Sequence, residues 1–112
     1  MLRFVNLKED NASLDYALAL VELEIENAQA AGDKAIKVLH GYGSHGKGGV
    51  ILVELRKFLR LMKKQKRIKD YFAGDKWSVF NKDVFSLLNQ DKSMAGDEDL
   101  DRNNPGITII VL

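Results

Sequence analysis

The segment His40-Gly-Tyr-Gly-Ser-His-Gly-Lys-Gly-Gly49 holds five glycines in ten residues and constrains the fold more than any other part of the chain. Glycine loses more backbone freedom on ordering than other residues, so such a run is unsuited to a helix or strand interior. What flanks it has regular character. Ala35-Ile-Lys-Val-Leu39 reads as a mostly apolar strand that runs straight into the glycines. Beyond them, Ile51, Leu55, Phe58, Leu59 and Met62 recur on one face of a helix. The expected unit is therefore strand, glycine turn, helix. At such a junction unpaired backbone N–H groups and the positive end of the helix dipole both favour an anion.

Other elements follow from the same periodicities. Leu2 to Leu7 has the apolar content of a short opening strand. From Leu14, apolar residues at 14, 17, 18, 21, 25 and 28 mark a first helix, with Ser13 or Asn11 placed to cap it and Gly32 to end it. Ile68 to Phe72 reads as a third strand closed by Gly74, and Gly106 to Leu112 as a last strand whose β-branched content suits a central, well-covered place. Between these two lies an insertion, approximately 75–104, with a short helix capped by Asn81 and carrying Val84, Leu87 and Leu88. Trp77, Tyr71 and Phe80 are expected as local core around it. The polar stretch Asp91 to Asn104 is expected as a mobile surface loop.

A chain of 112 residues has room for a single domain, here 1–112. With no cysteine it has neither disulfides nor thiolate metal sites, which suits a reducing compartment. No apolar run approaches the ~20 residues that cross a bilayer, and no signal-peptide layout is present. A cytoplasmic location without membrane contact is expected. The net charge is only +1, so any attraction to polyanions must come from charge placement. Placement is uneven: from Arg56 to Lys69 there are eight basic residues and no acidic one. Arg56, Arg60, Lys63 and Lys64 share a helical face just beyond the glycine run.

Gly41, Gly43 and Gly46 satisfy the bare Gly-x-Gly-x-x-Gly pattern, but the acidic residue expected about 20 positions later is missing. The Gly-Lys-Ser/Thr ending of a phosphate-binding P-loop is missing too. No nucleotide cofactor is expected. His40 and His45 lack the further ligands a metal would need, so no metal is expected either. The remaining use of the loop is contact with phosphate: by backbone amides of Gly41, Gly43, Ser44, Gly46 and Gly48, by Lys47, by His40 or His45, and by Tyr42 stacking on a base or sugar. His40 also has a reading as a strand-end residue bonded to the loop backbone.

The run from Ala35 to Gly48, with His40-Gly41-Tyr42-Gly43 at its centre, resembles the His-Gly-x-Gly signature of the Smr domain, the small MutS-related domain. The element order fits as well. The resemblance implies a two-layer α/β sandwich, β-α-β-α-β-β, with a roughly four-stranded mixed sheet, two main helices and the short extra helix of the insertion. Some Smr domains nick or cleave DNA or RNA, and others bind nucleic acid or serve as interaction modules. The family's Leu-Asp-x-His motif at the end of the first strand corresponds here to Val5-Asn6-Leu7-Lys8, which has neither the carboxylate nor the imidazole. That departure weighs against hydrolysis through this motif.

The leading expectation is backbone-directed binding of DNA or RNA, with Arg56, Arg60, Lys63 and Lys64 extending the loop's contact. Two alternatives stay open. One is a residual nicking endonuclease using His40. The other is a protein-interaction module in which the glycines are structural and the acidic first helix or the 91–104 stretch meets a partner.

Overall fold

The computed structural model describes residues 2–8, 13–41 and 47–112, the side chains of Lys47 and Gly48 excepted. Strand β1 (Leu2–Asn6) leads to helix α1 (Leu14–Ala31), strand β2 (Ala35–Leu39) and helix α2 (Lys47–Lys64). Strand β3 (Asp70–Ala73), helix α3 (Lys82–Gln90) and strand β4 (Ile107–Val111) complete the order. The four strands form one mixed sheet in the order β1-β2-β4-β3. β1 and β2 are parallel, with Asn6 opposite Leu39, and β4 runs antiparallel to both β2 and β3. A single helix between parallel strands is the usual crossover, and α1 supplies it.

The helix ends follow the sequence closely. Ser13 Oγ accepts the Tyr16 N–H at 3.3 Å, satisfying a donor that the first turn leaves unpaired. Gly32 ends α1 at φ +80°, while Asp33 N reaches back to Ala28 O at 2.9 Å, the hydrogen bonding of a left-handed helix cap. α2 begins at Lys47, so Gly48 and Gly49 lie in its first turn, not in the loop. First-turn N–H groups have no intrahelical acceptor, so glycine is tolerated there better than mid-helix. β3 starts at Asp70, two residues later than expected, because the chain first leaves α2 through a tight cap: Arg67 N donates to Met62 O at 2.9 Å.

Both faces of the sheet are covered. α1 and α2 lay Val21, Ile25, Leu55, Leu59 and Met62 over Val5, Ile36, Val38 and Ile110. On the opposite face Trp77, Val84, Leu87, Leu88 and Met94 of the insertion cover Ala35, Phe72, Ile107 and Ile109. β2 and β4 are thus buried on two sides, and their residues are almost uniformly apolar, as such strands require. The exceptions are Thr108 in β4 and, the one charged residue, Lys37 in the middle of β2.

Lys37 is 5% exposed, and its Nζ lies 2.9 Å from Asp97 Oδ1 and 2.5 Å from Asp99 Oδ2. Trp77 Nε1 donates to the other oxygen of Asp97 at 3.0 Å, and Asn104 Nδ2 to the other oxygen of Asp99 at 2.9 Å. Burial works against the ammonium, but hydrogen bonds with Asp99 and Asp97 outweigh it and hold its pKa above the ordinary value. Asp99 is likewise opposed by burial and held low by Lys37 and Asn104. The 91–104 stretch is therefore a clasp on the centre of the sheet, not the mobile surface loop its polarity suggests. Asp97 and Asp99 are spent on a buried cation, which would be costly to enclose alone. Phe80 departs from expectation too: it is 94% exposed, whereas Trp77 is fully buried. The Ser78–Asn81 turn points Phe80 outward, with its N–H bonded to Ser78 Oγ at 3.2 Å.

Candidate functional site

Because β1 and β2 are parallel neighbours, their C-terminal ends lie side by side. Such carboxyl ends are where open α/β sheets carry their ligand crevices. Leu7 N donates to Leu39 O at 2.8 Å and extends the pairing beyond the strands proper. Next to them, the N–H groups of His40 and Gly41 both donate to Gly106 O, at 2.9 and 3.0 Å. Sharing one acceptor requires a sharp backbone turn, and Gly41 makes it at φ +75°, in a region that disfavours every residue with a Cβ. The chain then leads towards α2.

His40 is 2% exposed and both its ring nitrogens are engaged. Nδ1 lies 2.5 Å from Gly41 O, and Nε2 lies 2.8 Å from Thr108 Oγ1. A carbonyl only accepts, so Nδ1 carries the proton, and in a neutral ring Nε2 accepts from the threonine hydroxyl. Neutrality is favoured because burial lowers the pKa of His40. The charge of Arg56 on α2 pushes the same way, while the bond to Gly41 O opposes it. His40 thus fastens the end of β2 to β4, the strand-end role its position allowed.

Arg56 is the nearest of the basic residues to this strand end in its electrostatic effect. It is half-buried, and its Nε is enclosed without a hydrogen-bond acceptor among the described residues. A buried donor left unpaired costs on the order of 1–3 kcal/mol. Farther along α2 and its exit the basic residues divide. Lys63 pairs with Asp70 at 3.0 Å, Arg67 with Glu22 at 3.0 Å, and Lys57 with Glu54 at 3.3 Å. Arg60 and Lys64 are exposed and have no acidic partner among the described residues. Of the four helix positions expected to act together, Arg56, Arg60 and Lys64 have no acidic partner among the described residues and Lys63 has one.

Tyr42, Gly43, Ser44, His45 and Gly46 lie outside the described residues. Lys47 and Gly48 open α2. Lys8, which stands where the Smr motif would have its imidazole, belongs to the neighbourhood without having been expected as a contact. Lys8, just past β1, has its N–H bonded to Asn6 Oδ1 at 2.9 Å, and its methylene stem passes near Gly41. A carbon placed on the Gly41 Cα would sit 3.6 Å from both Cδ and Cε of Lys8. Only the strand register brings residues 8 and 41 together, so local pattern carried no signal for it.

Comparison with solved structures finds a likeness of fold. The chain superposes on the crystal structure of the Smr domain of Thermus thermophilus MutS2 with a TM-score of 0.60 and 20% identity, over 98% of this chain and 96% of that one. No protein-family model and no curated protein matches the sequence. The four-stranded mixed sheet with its helices is therefore an Smr-like fold, as the glycine signature implied. No helix among the described residues is long and apolar enough to cross a membrane.

Proposed function

We propose that this domain binds the phosphate backbone of nucleic acid at the carboxyl ends of β1 and β2 and along the adjoining face of α2. The observation that carries this reading is the set of cations Arg56, Arg60 and Lys64, which have no acidic partner among the described residues, beside a strand end that runs on in sequence into the glycine-rich segment. In this reading the amides of Gly43, Ser44, Gly46 and Gly48, with Lys47 and His45, hold one phosphate, while the Gly41 N–H expected among them is already given to Gly106 O and secures the strand end instead. Tyr42 stacks on a base or sugar, and the α2 cations follow the backbone away from it. Lys63, held by Asp70, contributes less than its sequence position suggests.

The Smr-like fold supports the same reading, since the solved Smr domain belongs to a MutS2 protein. The state of His40 favours holding the strand end over proton transfer. Binding without cleavage is accordingly the activity assigned here, in a setting such as DNA repair, recombination or RNA processing. Nothing in phosphate contact distinguishes DNA from RNA. Fluorescence anisotropy with single-stranded, duplex and branched DNA and structured RNA, at several salt concentrations and with a gel to detect cleavage, tests it. Salt-dependent binding of intact nucleic acid is the expected result, and cleavage lost in His40→Gln would replace this reading with a nuclease.

A further inference from the structure

We propose that Lys8 is a phosphate-contacting residue of this site, its stem running beside Gly41 at the end of β2. The inference rests on the nucleic-acid reading above and adds a residue from a third part of the chain. Three observations converge on it. The backbone at Lys8 is fixed, by the Asn6 Oδ1 bond to its N–H and by the pairing of Leu7 with Leu39. The stem runs past the strand end, its Cδ and Cε lying 3.6 Å from the place a Cβ on the left-handed Gly41 would take. The charge is free, because Lys8 is exposed and has no acidic partner among the described residues.

Because the backbone at Lys8 is already ordered, contact with phosphate requires no loop ordering at this position. Lys8 arrives from β1 and Arg56 from α2, at the same His40–Gly41 strand end. Cations from two separate elements suit a curved or branched backbone track better than a single helical stripe does. A lysine also suits phosphate as a point charge that needs no particular oxygen geometry.

The test uses the purified domain, a fluorescein-labelled DNA duplex and an RNA hairpin, with anisotropy across a salt titration. Lys8→Gln is expected to lower the slope of log affinity against log salt by about 0.7–0.9, while Lys8→Arg retains it. Lys82→Gln, at the start of α3 on the opposite face of the sheet, is expected to change nothing. In parallel, acylation of surface amines read by mass spectrometry should find Lys8 protected in the complex. Normal binding by the wild type, with Lys8→Gln unchanged and Lys8 acylated equally in free and bound protein, overturns the assignment of Lys8 alone. A wild type that binds neither probe overturns the nucleic-acid reading, and the role of Lys8 falls with it.

Discussion

Nε2 of His40, at the end of β2, lies 2.8 Å from the hydroxyl oxygen of Thr108 on β4, so one imidazole joins the two central strands beside the candidate site. The ring is neutral in the fold, its pKa lowered by burial and by the charge of Arg56. In the unfolded chain it titrates near about 6.5. Between those two values the unfolded state binds a proton that the folded state does not, so stability falls as pH drops below about 6.5 towards the folded value. Thermal midpoints across this range should show the decline in the wild type and a flatter profile in His40→Gln. Thr108→Val, which removes the donor to Nε2, should cost about 1–3 kcal/mol in denaturant unfolding.

The Lys37 clasp makes a second prediction. Lys37→Met leaves Asp97 and Asp99 facing each other without their cation, and should destabilise the domain by about 3–5 kcal/mol. Adding Asp97→Asn and Asp99→Asn should recover much of that loss, because the repelling charges are then gone. The low pKa of Asp99 gives its own signature. Its stabilising contribution is present above about pH 4, the unfolded value, and is lost as pH falls through the folded one. Urea melts of the three proteins at neutral and acid pH check both points.

Close approach of the insertion to β3 makes Gly74 intolerant of any side chain. A Cβ there would lie 1.6 Å from Asn104 O, which backbone cannot absorb without undocking the Asn104 end of the clasp. Gly74→Ala is therefore expected to lower the thermal midpoint by many degrees and to expose Trp77 to quenchers. Phe80→Ser should leave stability within about 0.5 kcal/mol, because its ring is 94% exposed. Trp77→Ala should cost about 3–5 kcal/mol.

Lys66 sits just past α2 at φ +62°, with its N–H donating to Lys63 O at 3.0 Å. Glycine is the residue that adopts this conformation without strain. Lys66→Gly should raise stability by up to about 1 kcal/mol, the strain of a left-handed residue less the greater backbone freedom of glycine when unfolded. Denaturant midpoints at unchanged m-value would show it.

What the sequence revealed and what it concealed divide along the range of the interactions. Ser13, Gly32 and Asn81 act within a few residues of themselves, and each caps its helix where the pattern placed it. The central place of β4 was legible in its β-branched, uninterrupted apolar run. The clasp was not, because a lysine in a strand and two aspartates 60 and 62 residues away each look like ordinary surface residues until the fold joins them. The same holds for Lys8 and Gly41, and for the division of the basic stretch into Lys63 and Arg67, which have acidic partners, and Arg60 and Lys64, which have none among the described residues. In Phe80 a local signal misled: an aromatic beside a buried tryptophan is held outward by its turn.

The most direct test of the account is the salt dependence of nucleic-acid binding by the wild type and by the double variant Arg60→Gln/Lys64→Gln, which alters only exposed side chains. Affinity should fall steeply with salt in the wild type, and the double variant should lose about 1.5 from the log–log slope, near 0.7–0.9 for each contact removed. A wild type whose binding is unchanged by salt, or a double variant with the wild-type slope, would contradict the assignment of α2 as a phosphate-binding surface.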